Sequence, residues 1–295
     1  MSLFAVMNDQ VASKVMRIEL DKQSSSMVDG IFRQQKAHFE LHHSTKIPFY
    51  AGYTPSYNEC FVIDNFKESA TLIDAVTRNT AIPVWDPTTV GMENIKALFV
   101  GIEAPQNNKV IAIQTFNKNQ ILDTSKSFLM SMFASKNTFS KADGVGFNID
   151  DKLVSFVDDD KVYFRSFFKL RSIFDMNKYF QEATDQDLVN FTSNASFSVP
   201  QGFNMKAVAD TVIRSKVTLI SQNGTLTPNN IPIFVAAAQK INFPLQTTLV
   251  GNVEKIVMPQ TKKELKALLD FLDEDIFTSE ISQKIFKSNS KRLYR

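Results

Sequence analysis

The sequence predicts an α+β fold, with an antiparallel-strand-rich N-terminal half and a mainly helical C-terminal half. Two observations predict it. Strand-like segments dominate the first 170 or so residues, among them Lys161–Arg171 with its alternation of period two, and the period lengthens to 3.6 from Asp175 onward. No repeat, low-complexity tract or obvious linker divides the halves, so a soft boundary near Ile173 separates a strand-rich region, 1–173, from a helical region, 174–295. A chain of 295 residues buries roughly three quarters of its unfolded surface and can build a core without metals or disulfides.

A strand at Val15–Leu20 leads into a helix from about Ser24, in which Val28, Ile31, Phe32, Gln35 and Phe39 share one side while Lys36 and Glu40 pair on the other. Ala97–Glu103 and Lys109–Phe116 flank the turn PQNN and predict a hairpin. A second hairpin follows, its arms DKLVSFV and KVYFRSFFKLR joined by Asp158–Asp160, with Phe156 opposite Val162 and Val154 opposite Phe164. Its second arm splits into an inner face, Val162, Phe164, Ser166, Phe168 and Leu170, and an outer face, Lys161, Tyr163, Arg165, Phe167, Lys169 and Arg171.

In the second half, helices are predicted at 175–191, 203–220, 228–242 and 261–272. After Gly202 the buried stripe is Met205, Val208, Ala209, Val212 and Ile213, with Lys206, Asp210 and Arg214 following at i+4 outside. Thr261 and Glu264 form a capping box, and Leu265, Leu268, Leu269 and Leu272 mark the stripe behind it.

Charge totals 33 basic against 31 acidic residues, −1 through Asp150 and +3 after it, so affinity for a polyanion must come from local clusters of cations. The single cysteine, Cys60, makes an internal disulfide impossible and suits a reducing compartment, the cytoplasm by default. The start MSLFAVMNDQ lacks a basic n-region, and no segment reaches the ~18 apolar residues needed to span a bilayer. Walker-type GxxxxGK(S/T), GxGxxG after a strand, GxSxG and HExxH are all missing, and nine glycines leave little scope for a phosphate-cradling loop. No motif calls for a cofactor, and the expectation is a protein without catalytic residues.

Four cations and two aromatics on the outer face of Lys161–Arg171 suit phosphate contacts and base stacking; a solvated edge-strand face is the competing reading. A second basic-aromatic cluster lies in the tail, where Lys284, Lys287, Lys291, Arg292 and Arg295 surround Phe286 and Tyr294 and no acidic residue follows Glu280. Two weaker signals remain. His38 and His42 stand at i and i+4 beside His43, a spacing that suits zinc but without a Cys or a converging carboxylate beyond Glu40. Asp143, Asp150 and Lys152 loosely match the metal-binding core of restriction-type nucleases, and Asx-rich hairpin starts explain the same residues.

The stretch LLDFLDEDIF at 268–277, followed by KSNSKR at 287–292, resembles the ending of the KwaB family, the soluble component of the bacterial Kiwa anti-phage defence system. The segment IFDMNKYFQEATDQDLVNF at 173–191 and the hairpin before it are similar in style. The resemblance covers 150–295 and is weakest over the first 100 residues. It implies a protein that binds DNA and blocks phage replication or late expression beside a membrane-embedded partner, KwaA, that senses infection, and it transfers no residue role to a numbered position.

The sequence therefore favours a cytoplasmic effector that grips DNA through Lys161–Arg171 and the tail and acts by occupancy. Two alternatives stay open. One is a metal-dependent nuclease built on Asp143, Asp150 and Lys152; the other is an adaptor whose basic tail meets an acidic protein or an anionic membrane surface. Homo-oligomerisation is also open, since no heptad or other interface is readable.

Overall fold

An eight-stranded sheet covered by helices on both faces organises the first of two units in the computed structural model, which describes residues 2–104, 109–123, 132–135, 138–141 and 145–292. This unit comprises Met1–Phe49 and Pro55–Asp175; the second comprises Tyr50–Thr54 and Met176–Arg295. The chain is α+β as its periodicities predict, with an antiparallel-rich sheet in the N-terminal half and helices in the C-terminal half.

Along the first unit run β1 (Leu3–Met7), β2 (Val15–Ile18), α1 (Lys22–His42), β3 (Thr45–Pro48), β4 (Glu59–Ile63), α2 (Ser69–Thr77), β5 (Ile95–Glu103) and β6 (Lys109–Thr115). After them come β7 (Ile121–Asp123), β8 (Met132–Ser135), β9 (Thr138–Lys141), β10 (Val145–Phe147), β11 (Ser155–Asp158), β12 (Lys161–Phe164) and α3 (Phe167–Arg171). The main sheet has the order β2-β1-β5-β6-β11-β12-β4-β3; its pairs are antiparallel apart from β3 with β4, while β7 pairs with β10 and β8 with β9. The PQNN turn of the β5–β6 hairpin lies outside the described residues, but its arms pair in register from Ala97 with Thr115 to Glu103 with Lys109.

α1 covers one face. Val28 and Phe32 enter a core with Leu3, Ala5, Leu98, Val100 and Ala112, and Phe39 enters a second cluster with Cys60, Val110, Phe156 and Tyr163. Lys36 Nζ meets Glu40 Oε1 at 2.7 Å, as the spacing predicts, but Lys36 is largely covered and lies 5.4 Å from the centroid of the buried Phe156 ring rather than on the solvent side. Gln35 has a different use: its Nε2 donates to the Asp150 carbonyl (2.8 Å), and the fully buried Gln114 reaches the same carbonyl (3.0 Å) while accepting from the Asp150 amide (3.1 Å). The opposite face belongs to α2, which packs on β5 and β6. There Gly101 permits close approach, because a Cβ at that position would overlap the Val76 Cγ1 methyl.

The second hairpin departs from its prediction. β11 and β12 pair Phe156 with Tyr163 and Val157 with Val162, one residue away from the expected register. The connection is only Asp159-Asp160, with Asp159 in a left-handed conformation (φ 54°) that aspartate tolerates. The slip puts Tyr163 on the Phe156 side of the sheet, stacked on that ring at 4.6 Å, and because both faces are covered Tyr163 (7% exposed) is buried as well as Val162 and Phe164. The predicted long arm also stops at Phe164. Ser166 caps α3 by accepting from the Lys169 amide at 3.3 Å, and within that turn Leu170 is fully buried while Phe168, which a period of two would place on the same face, is turned to solvent.

The second unit contains α4 (Asp185–Thr192), β13 (Phe197–Ser198), α5 (Met205–Val208), α6 (Thr211–Asn223), α7 (Ile231–Lys240), β14 (Thr247–Val250), β15 (Val253–Val257), α8 (Lys262–Leu272), β16 (Ile276–Thr278) and β17 (Ile285–Lys287). α8 matches its prediction: Leu265, Leu268, Leu269 and Leu272 are buried, and Thr261 Oγ1 accepts from the Glu264 amide. The predicted 175–191 helix contracts to α4, begun by a Thr184–Asp187 capping box. The 203–220 helix divides because Asp210 caps α6, accepting from the Ile213 amide at 3.1 Å. Val212 consequently points outward, 54% exposed, rather than into the core.

Charge is buried where α8 ends. Asp273 and Asp275 are 1% and 0% exposed, and Glu274 between them takes φ 58°. Lys216 of α6 bonds both carboxylates, 2.6 Å from Asp273, and Lys291 of the tail bonds both from another side, 3.2 Å from Asp273. Burial opposes the Lys291 charge, but bonds to Asp275 and Asp273 outweigh it and raise its pKa. Around Lys291 the tail is stitched to the Tyr50–Thr54 segment: its amide donates to Gly52 O (3.2 Å), Ser290 Oγ accepts from the Thr54 amide (2.9 Å), and the Arg292 guanidinium lies 5.3 Å from the Tyr53 ring centroid.

Three outcomes follow from this packing. Gly101→Ala will destabilise the protein by about 1–3 kcal/mol in urea titration, and adding Val76→Ala will recover most of that loss. Lys216→Met, which leaves two buried aspartates sharing one lysine, will cost about 3–5 kcal/mol in the same assay. The Asp210 carboxyl is held well below the usual range by Lys266, the Ile213 amide and Lys262. Its stabilisation is therefore present above the unfolded carboxylate pKa near ~4 and is lost as pH falls toward the lower native value, so Asp210→Asn will flatten the acid side of the stability–pH curve.

Candidate nucleic-acid interface

Most of the predicted basic-aromatic strand face is engaged within the first unit. Lys161 is exposed, but its Nζ lies 2.9 Å from Asp64 Oδ1, a bond that raises its pKa. Tyr163 is buried beneath Lys46, whose Nζ stands 4.5 Å from the ring centroid, and burial pushes the phenol pKa up. Arg165 donates through Nη2 to the carbonyls of Pro55 (3.2 Å) and Ser56 (3.1 Å), holding the approach to β4. Phe167 stacks on Phe49 with centroids 4.6 Å apart.

What reaches solvent is the other side of α3. Phe168, assigned to the inner face by a period of two, is 82% exposed, with the exposed Lys169 beside it and Arg171 one turn on. Arg171 lines a cleft of about 500 Å³. Three more cations line it: Lys14 before β2, Lys67 before α2, and Lys96 in β5. Asp9, Glu68 and Asp175 also contribute, leaving the lining one positive charge in excess. Lys96 Nζ lies 3.6 Å from Asp9 Oδ2, and Asp9 is 92% exposed. The apolar wall includes Leu72, Ile173 and Phe174. These cations come from segments up to 157 positions apart, from Lys14 to Arg171, so no local pattern joins them. For Phe168 a readable signal exists: Phe164, Phe167 and Leu170 spaced by three, with Ser166 as cap.

The tail cluster belongs to the second unit. Lys287 Nζ is bonded to Asp270, Lys291 sits in the buried ion cluster, and Arg292 rests against Tyr53. Lys284 is exposed in the connection between β16 and β17, and the half-exposed Phe286 stacks on Phe277 at 5.9 Å. Arg295 and Tyr294 lie outside the described residues.

The histidines form a ring cluster with Tyr57. His38 and His42 have centroids 4.2 Å apart, His42 Nδ1 lies 2.8 Å from the Tyr57 hydroxyl, and His43 Nδ1 lies 2.8 Å from the Tyr57 carbonyl. Burial lowers the His43 pKa. Asp150 Oδ1 accepts from the Asp151 amide, while Lys152 and Asp151 are largely exposed and 3.9 Å apart; Asp143 lies outside the described residues. Among the described residues, no group of three or more His, Cys, Asp or Glu converges as a metal site, and no helix is long and apolar enough to cross a membrane.

No curated protein and no solved structure matches the chain. One family model does, described as Kiwa protein KwaB-like, and its match over residues 92–282 takes in β5 through β16. The match begins well before residue 150, where the resemblance was expected to start, and ends before the basic residues of the tail. Since it spans more than half of the sequence, the chain belongs to the KwaB-like family and is a component of Kiwa anti-phage defence.

Proposed function

We propose that this Kiwa component binds DNA through the α3 surface of its first unit and obstructs phage replication or late expression by occupancy, without bond cleavage. The observation that carries this reading is Phe168, 82% exposed beside Lys169 and one helical turn from Arg171. Leaving a phenyl ring in water has a hydrophobic cost that a stacked base relieves, and neighbouring cations supply the phosphate contacts such stacking requires. The charge balance fits local rather than global attraction, since the net charge is only +2. On this reading the protein works beside a membrane-embedded partner, the KwaA that the family resemblance implies, and recruitment to the membrane comes from that partner.

Fluorescence anisotropy with a labelled oligonucleotide across a salt series tests the proposal. Phe168→Ala will weaken single-strand binding by about 1–3 kcal/mol, and Lys169→Glu will reduce the slope of log K against log salt by about 1. Wild-type affinity in both folded variants would contradict the assigned surface. Accumulation of cleaved product with Mg²⁺ would contradict occupancy.

A further inference from the structure

We propose that the cleft lined by Lys14, Lys67, Lys96 and Arg171 is a binding site for a single nucleoside phosphate. Its volume, about 500 Å³, falls within the ~300–1,000 Å³ of small-ligand sites and is too small to admit a duplex. The two kinds of lining divide the ligand between them. Cations from four separate segments surround the space, and among the described residues Lys14 makes no ion pair, so at least one ammonium is available without breaking an existing bond. Leu72, Ile173 and Phe174 give an apolar wall for a base, while the carboxylates of Asp9 and Asp175 can accept from sugar hydroxyls. That combination favours a nucleotide over inorganic phosphate, which has no apolar part to lie against that wall. The cleft in the second unit provides the contrast: of similar size, it is lined by Glu182 and Asp187 with no cation.

The nucleotide has two sources. It is either free in solution or an unpaired nucleotide of a bound strand, turned out of the stack as in enzymes that extrude a base. The strand source rests on the DNA-binding reading above; the free source does not. Arg171 contributes to the cleft from the same turn of α3 that carries Phe168, which makes the strand source geometrically continuous with the proposed DNA surface.

The test uses the full chain, ATP and a dodecamer of deoxythymidine as probes, and calorimetric titration. Two variants alter the cleft differently: Lys14→Glu/Lys96→Glu reverses its charge, and Thr71→Trp fills it from the exposed first turn of α2. Circular dichroism and thermal midpoints establish that each is folded. The expected result is binding of at least one probe to wild type, weakened tenfold or more in both variants. ATP binding that the dodecamer does not displace identifies a free nucleotide; loss of dodecamer binding without any ATP affinity identifies a strand nucleotide. If ATP binds and DNA does not, the site stands and the DNA-binding reading falls. If DNA binding persists in both cleft variants yet is lost in Phe168→Ala, and ATP does not bind, the site falls alone. Binding of neither probe overturns both.

Discussion

A sheet covered on both faces cannot carry a charged face, and that constraint decides where this protein can meet a polyanion. α1 lies across one side of the eight strands and α2 across the other, close enough at Gly101 to exclude even a Cβ. Gln114, fully buried within the sheet, is satisfied internally by Gln35 and the backbone of Asp150. Cations are displaced to the ends of strands and the turns between elements. Lys14, Lys67 and Lys96 all occupy such positions or the first residues of an element, and α3, which carries Lys169, forms where the chain after Phe164 leaves the sheet. The exposed Phe168 is a consequence of the same exit, because the helical turn that buries Leu170 and stacks Phe167 on Phe49 turns Phe168 to water.

The second unit uses its tail charges in a different way. Two buried carboxylates beyond α8 require cations at close range, and Lys216 and Lys291 provide them. The stretch at 268–277 and 287–292 that carries the family resemblance is therefore, in physical terms, a set of matched partners: Asp270 with Lys287, and Asp273 and Asp275 with Lys291. A basic run free of acidic neighbours in sequence is substantially neutralised by acidic residues about 16 positions earlier. Its visible charge describes how the chain end is held, and the cations left for a partner are fewer than composition suggests.

Much of the fold was legible because strong local signals agreed with the tertiary structure. The α8 stripe with its Thr261 cap and the α1 face of Val28, Phe32 and Phe39 each have one dominant periodicity and one compatible burial, and the β5–β6 pairing follows from two apolar runs flanking a turn. The hairpin at 155–164 was legible as a hairpin but not in register, since DDD permits either a two- or a three-residue turn and the choice inverts the faces. KVYFRSFFKLR fits a period of two over its whole length, and its switch to a helix depends on Ser166 capping and on Phe49 stacking with Phe167. The cleft was invisible for a different reason: its four cations belong to four segments that only the completed sheet and α2 bring together. The family, by contrast, was readable from residues whose role is structural.

Photo-cross-linking measures the central claim most directly. Benzoylphenylalanine placed at position 168, and separately at 286 as a comparison in the second unit, is irradiated with a labelled single-stranded oligonucleotide. The account predicts a covalent adduct from position 168 that exceeds any from 286 and is abolished by high salt. An adduct at 286 with none at 168, under conditions where the protein retains bound DNA, would contradict it.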